Sequence, residues 1–229
     1  MTGTRIRQFR ALLRKDLQLE LRTRETAITM VLFATVAMVL FQFTIGVRVD
    51  DATPFAGGII WATLALTAVL GVGRTWVPER EQRVLDGILV APVPRLTLMA
   101  ARATALVLGL LAVQVVVVPL AVVFFVKGGS IADLGFVFLT CLIADVAIGI
   151  VGAQLASMSV FTRARELLLP VLLLPALIPV IIAAAGATHA VLGPSDRVDE
   201  YWRYSGFLGV YAVIFALVAF ATFDHILDE

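Results

Sequence analysis

The chain contains few of the residues on which chemistry in proteins usually depends. Cys141 is the only cysteine among 229 residues, which excludes an intramolecular disulfide and any multi-cysteine metal cluster. Histidine occurs only at His189 and His225, and asparagine is absent, so no N-glycosylation acceptor exists. The sequence also lacks paired carboxylates, a Ser/His pair and an H-E-x-x-H motif. We therefore predict that the protein is not an enzyme and has no catalytic or metal-binding residues.

Charged residues are also scarce. They make up 15% of the chain, against about 25% in ordinary soluble domains. The net charge of +1 is too small to suggest a nucleic-acid partner. The lysines, Lys15 and Lys127, are followed by Asp16 and Gly128, so neither completes the G-x-x-x-x-G-K-[ST] motif of a P-loop. Any ATP that drives this protein must therefore be hydrolysed by a partner.

Long apolar runs dominate the sequence, and hydrophobic residues make up 60% of it. A bilayer core about 30 Å thick needs about 20 apolar residues per helix. Six stretches meet or approach that length, at about 26–46, 55–73, 103–126, 134–161, 167–187 and 205–223. Because these runs lack the alternation of barrel strands, they predict helices. The predicted fold class is an all-α polytopic membrane protein, a bundle of six transmembrane helices forming one domain, 1–229.

The ends of the predicted spans differ in charge. With six spans both termini lie on one side of the membrane, and that side carries fourteen of the 18 Lys and Arg residues, against four opposite. The positive-inside rule then predicts that both termini are cytoplasmic. The first apolar run follows a polar segment of 25 residues without a small-residue cleavage site after it, so we expect this helix to remain in the mature protein.

The N-terminal segment, 1–25, is predicted to be an interfacial amphipathic helix. Its apolar residues recur at helical spacing, and four cations lie on the other faces. Such a helix places its apolar side in the headgroup boundary and its cations against anionic lipid. The apolar residues are Phe9, Leu12, Leu13, Leu17 and Leu21.

The stretch VPEREQRVLDGILVAPVPR, residues 77–95, interrupts the apolar sequence between spans two and three. Val84, Leu85, Ile88 and Leu89 form one apolar stripe, and the prolines near the end of the stretch stop a helix. We therefore predict a short amphipathic cytoplasmic helix. The lipid headgroup surface and a groove on another protein are both open as the place where its stripe is buried.

Several residues inside or beside the spans suggest local roles. Asp145 lies near the middle of span four, where a lipid-facing charge costs about 2.5–3.5 kcal/mol, so it must face protein or be protonated. A buried acid bonded to a neighbouring helix and a proton or substrate role are both open. Gly149 and Gly152 in the same span indicate close helix contact. Tyr201, Trp202 and Tyr204, just before span six, are predicted to form an interfacial aromatic belt.

Three stretches, in this order, resemble permease subunits of exporter-type ABC transporters and most closely the heme exporter protein B family, the permease of cytochrome c maturation. They are GIIWATLALTAVLGVGRTWVPEREQ at 58–82, the stretch at 77–95, and TRARELLLPVLLLPALIPVIIAA at 162–184. The resemblance covers most of the chain. It implies that a helix in 77–95 fits a groove in a separate ATPase through Arg80, Glu81, Val84, Leu85, Asp86, Ile88 and Leu89. A secondary cytoplasmic contact is implied at Arg163, Arg165 and Glu166.

The resemblance further implies a function and partners. The chain is expected to couple ATP hydrolysis by a cytoplasmic ABC ATPase to heme release or transfer on the outer side of a bacterial inner membrane. Other cytochrome c maturation membrane subunits, an outer-side heme carrier and a second permease copy are the implied partners. Heme is handled as cargo, and no cofactor ligand is assigned to His189 or His225. The alternatives are an exporter permease for a drug, lipid or polysaccharide, and a proton-coupled secondary transporter that uses Asp145.

Overall fold

The fold is known from a computed structural model, which describes residues 2–77, 93–128, 131–159, 165–193 and 197–226. Every regular element in these ranges is a helix, which confirms the predicted all-α class. The helices are α1 Thr2–Thr23, α2 Glu25–Phe41, α3 Thr53–Arg74, α4 Arg95–Phe125, α5 Ile131–Ser159, α6 Arg165–Leu192 and α7 Val198–Ile226. One π-helical turn, Gln42–Gly46, continues α2.

Six of these helices, α2 to α7, are long and apolar enough to cross a membrane. The chain is therefore a multi-pass membrane protein. Two helices begin earlier than the apolar runs predict: α4 begins at Arg95 rather than near 103, and α7 at Val198 rather than near 205. The reason is that hydropathy marks only the apolar length of a helix, whereas the more polar turns at its end are also helical because they keep their backbone hydrogen bonds. Pro94, just before α4, accepts a bond from the N–H of Thr97 at 2.9 Å.

A sharp break separates α1 from α2. Arg24 has a φ of 54°, a left-handed conformation that ends one helix before the next begins. The Glu20 carboxylate accepts a 2.7 Å hydrogen bond from the N–H of Ala27 and so caps α2 across the break. The predicted amphipathic helix is present, and it packs along α4. Leu12, on its apolar side, reaches the main hydrophobic core.

Helix α5 packs against α4, α6 and α7. Two of its glycines lie at tight contacts. A Cβ on Gly149 would come within 2.9 Å of the Ala103 carbonyl oxygen, and one on Gly152 within 2.6 Å of Val72 Cγ2. The predicted role of these glycines in close helix contact is confirmed.

Hydrogen bonds and ion pairs show how the two ends of the bundle are assembled. Arg74, at the end of α3, pairs with Glu25 at the start of α2 at 2.9 Å. At the other end, the Thr53 hydroxyl donates to the Phe125 carbonyl at 3.4 Å, and the Lys127 ammonium donates to the Asp50 carbonyl. Helix α3 therefore runs antiparallel to both α2 and α4. We call the end with Glu25 and Arg74 the basic end, because the arginine-rich α1 joins it.

Candidate functional site

The predicted ATPase contact falls largely on residues that the structure does not describe. All seven candidates between Arg80 and Leu89 lie in 78–92, and Arg163 lies in 160–164, outside the described residues. Helix α6 begins at Arg165, but the side chains of Arg165 and Glu166 also lie outside the described part. The structure describes the residues that flank 78–92, and these lie at the basic end.

An ion pair buried at the basic end joins α1 to α4. Arg102 Nη1 lies 3.0 Å from Asp16 Oδ2, and the two side chains are only 6% and 10% exposed. Lys15, which is more exposed, lies 3.3 Å from the other carboxylate oxygen. Because the pair is shielded from water, its attraction is screened far less than that of a surface pair.

The same arginine also contacts the end of α3. Its guanidinium carbon lies 4.6 Å from the centroid of the buried Trp76 ring, within the range of a cation–π contact. Nη1 also donates to the Thr75 carbonyl at 3.4 Å. We call Asp16, Thr75, Trp76 and Arg102 the Arg102 junction. It ties α1 and α4 to the last residues before segment 78–92.

Sequence reasoning did not find this junction. Arg102 stands alone among small apolar residues in MAARATAL, and Asp16 lies beside the leucines of an amphipathic helix. A lone arginine at the start of an apolar run is the available signal, since such a residue needs a buried partner. The sequence does not tell which acid supplies it, because Asp16 lies far away along the chain.

Asp145 faces protein, which is one of the two predicted outcomes. The residue is 1% exposed, and Gln114 Nε2 on α4 donates to its Oδ1 at 2.9 Å. Asp145 Oδ2 and Gln114 Oε1 have no hydrogen-bond partner among the described residues. The pair therefore links α4 to α5 at membrane depth through one hydrogen bond between two polar side chains.

Sequence comparisons identify the family. The sequence profile of the CcmB protein family matches residues 7–227, nearly the whole chain. The chain belongs to the CcmB protein family. Three relatives are named Heme exporter protein B. The one from Bradyrhizobium diazoefficiens is 29% identical over 95% of this chain and 98% of its own length. Those from Rhodobacter capsulatus and Paracoccus denitrificans are 27% and 28% identical, over 93% and 82% of this chain and 96% and 85% of their own lengths.

His189 of this CcmB family member lies away from the Arg102 junction, beside Gly57 in the first turns of α3. His189 is half-buried in the last turn of α6, and the side chain of His225 lies outside the described part. Across the described residues, no three His, Cys, Asp or Glu side chains come together as a metal site would require. Cys141 is buried in α5.

The aromatic residues at the start of α7 differ in their surroundings. Trp202 is 55% exposed, as an interfacial belt requires, but Tyr201 is 2% exposed. Tyr201 packs edge-on against Phe136 at 5.1 Å between ring centroids and donates to its carbonyl at 3.3 Å. The belt prediction was wrong for Tyr201, because these residues are helical and successive side chains point in different directions.

Proposed function

We propose that this chain is the permease subunit of an ATP-driven transporter that handles heme for cytochrome c biogenesis. The observation that carries the proposal is the match of nearly the whole chain to the CcmB protein family, with relatives named Heme exporter protein B. Heme is the cargo, released or transferred on the outer side of the membrane. An outer-side heme carrier receives or returns it, and further cytochrome c maturation subunits and a second permease copy complete the assembly.

A separate cytoplasmic ABC ATPase supplies the energy in this proposal. The chain has no P-loop of its own. The apolar stripe between Val84 and Leu89 enters a groove on the ATPase, and Arg163, Arg165 and Glu166 add a secondary contact. The Arg102 junction supports this assignment, because it joins the helix before segment 78–92 to the helix after it and to α1. A displacement of the segment would therefore move α1, α3 and α4 together.

The proposed location is the bacterial cytoplasmic membrane, with both termini in the cytoplasm. The concentration of Lys and Arg at the basic end supports this orientation. Segment 78–92 would then lie on the side where ATP is available. The opposite end, with Lys127 and His189, would face the outer carrier.

We assign Asp145 a structural role, that of holding α5 against α4. The support is its burial and its bond to Gln114 on the neighbouring helix. A proton-coupled transporter would instead need this carboxyl to exchange protons in each cycle, so substitution by asparagine separates the two roles.

The test is co-purification of the ATPase with tagged permease in mild detergent. Leu85→Asp and Ile88→Asp place a charge on the apolar stripe, and we expect each to release the ATPase and to lower holo-cytochrome c in cells. Val90→Asp is the matched control, since it adds the same charge on the opposite face of the predicted helix. If both stripe variants retain the ATPase, the apolar stripe is instead buried at the lipid headgroup surface. Normal holo-cytochrome c after deletion of the gene would exclude heme as the cargo.

A further inference from the structure

A cavity of about 400 Å³ lies at the basic end, between α1, α2, α3 and α4. This volume is in the range of about 300–1,000 Å³ typical of small-molecule sites. Its apolar walls include Leu17 and Leu21 of α1, Met30 of α2, and Leu106 and Leu108 of α4. Leu21 and Leu108 are 70% and 39% exposed, so the cavity opens toward the surroundings of the bundle. In a membrane those surroundings are lipid hydrocarbon and headgroups.

One position in the wall formed by α4 has no side chain. Gly109 of α4 lines it, and a Cβ built on Gly109 meets no atom within 4 Å. The opposite situation holds at Gly71 of α3, where a Cβ would come within 3.0 Å of the Met30 methyl group. The cavity therefore has more free space beside Gly109 than beside Gly71, and a larger side chain at position 109 would enter it.

The polar side of the cavity carries charges of both signs. Asp16 and Arg102 line it but bind each other in the buried pair. Among the described residues that line the cavity, the remaining charged side chains are Glu20, Glu25 and Arg74. The Glu20 carboxylate uses one oxygen to cap α2, and Glu25 uses one oxygen on Arg74. Two carboxylates with further acceptor capacity therefore lie beside one guanidinium, and Glu25 and Arg74 are 72% and 39% exposed.

We propose that this cavity binds a phospholipid whose headgroup carries a primary ammonium. One acyl chain would lie along the apolar walls beside Gly109. The phosphate would accept hydrogen bonds from Arg74, and the ammonium would donate to Glu20 and Glu25, which are acceptors only.

The charges distinguish this lipid from the other common classes. A primary ammonium has three N–H donors for the two carboxylates, whereas the quaternary ammonium of a choline headgroup has none. An anionic headgroup such as phosphoglycerol would bring its phosphate to two carboxylates and one guanidinium, and the described lining holds no further unpaired cation to balance Glu20 and Glu25. The inference does not depend on the cargo or on the ATPase.

Lipid binding is measured by native mass spectrometry on the full chain, purified and delipidated in detergent. Phosphatidylethanolamine, phosphatidylcholine and phosphatidylglycerol with identical acyl chains are added at equal concentration. We expect phosphatidylethanolamine to bind about tenfold more tightly than the other two, because neither of them can replace the hydrogen bonds between the ammonium and the carboxylates. Equal binding of the three lipids, or preference for phosphatidylglycerol, would overturn the proposal.

Two sets of variants test the two parts of the site. Gly109→Trp fills the cavity and should reduce phosphatidylethanolamine binding at least about tenfold. Gly206→Trp is the control, because its added Cβ also meets nothing within 4 Å but it lies on α7, outside the cavity lining. Unchanged binding by Gly109→Trp, in a monodisperse sample, would refute the site.

The headgroup is tested by the double variant Glu20→Gln and Glu25→Gln. Glutamine keeps an oxygen to accept from Ala27 and Arg74, so the helices should remain in place while the negative charges are lost. We expect the preference for phosphatidylethanolamine over phosphatidylcholine to disappear. If this preference persists, the two glutamates do not recognise the ammonium.

Discussion

Replacement of Arg102 by methionine tests the junction most directly. Methionine is unbranched and replaces the stem of the arginine side chain, but it ends before the guanidinium carbon and so leaves the Asp16 carboxylate, 10% exposed, without that partner. Removal of one partner of a buried ion pair costs about 3–5 kcal/mol, because the remaining charge is still out of water. The contact with Trp76 would also be lost, at about 0.5–2 kcal/mol.

The surroundings of Asp16 decide where in this range the result should lie. Lys15, 3.3 Å from Asp16 and 43% exposed, remains to offset part of the carboxylate charge. We therefore expect Arg102→Met to lower the free energy of unfolding by about 3.5 kcal/mol, the lower ends of the two ranges taken together. Arg74→Met is the matched control. Its pair with Glu25 is exposed on both sides, so its loss should cost about 0–1 kcal/mol.

The assay is equilibrium unfolding in mixed micelles, followed by tryptophan fluorescence. Trp76 packs against the guanidinium, so its emission reports on the junction. A double-mutant cycle with Asp16→Leu isolates the pair. We expect the double variant to be less destabilised than the sum of the single variants by at least about 1 kcal/mol, since a pair replaced by apolar residues leaves no buried charge. Additive effects, or equal losses for Arg102→Met and Arg74→Met, would refute the reasoning.

Two further predictions concern the contacts of α5. Asp145→Asn keeps a carbonyl acceptor for the Gln114 amide and should change stability and heme-dependent activity little, whereas Asp145→Leu leaves that amide unpaired and should cost about 1–3 kcal/mol in the same unfolding assay. Loss of activity in a stable Asp145→Asn protein would instead indicate proton exchange. Gly152→Ala should cost about 1–3 kcal/mol by overpacking against Val72, and Val72→Ala should restore most of it. Gly135→Ala, whose Cβ meets nothing within 4 Å, is the control, and a similar loss there would show that packing against Val72 is not the cause.

The sequence by itself determined the number of spans, their apolar character and the amphipathic nature of α1. Each of these is a property of consecutive residues: a run of about 20 apolar side chains must be helical in lipid, whatever it packs against. The placement of Asp145 against protein followed from the same physics, since lipid gives a carboxyl no partner. The ends of α4 and α7 were less predictable, because hydropathy does not register polar helical turns.

Only the tertiary structure decided which helix face meets which. Asp16 and Arg102 lie on helices that are distant in sequence, and Gln114 meets Asp145 only because α4 packs beside α5. Tyr201 shows the same limit: the charged residues Asp199, Glu200 and Arg203 lie close to it in sequence, but its own direction on α7 places it inside. The hydrophobic pattern of a helix determines that it inserts into lipid. It does not determine which of its apolar faces contacts lipid and which contacts another helix. Partners are chosen by the packing of particular side chains, a property of the whole bundle rather than of any one segment.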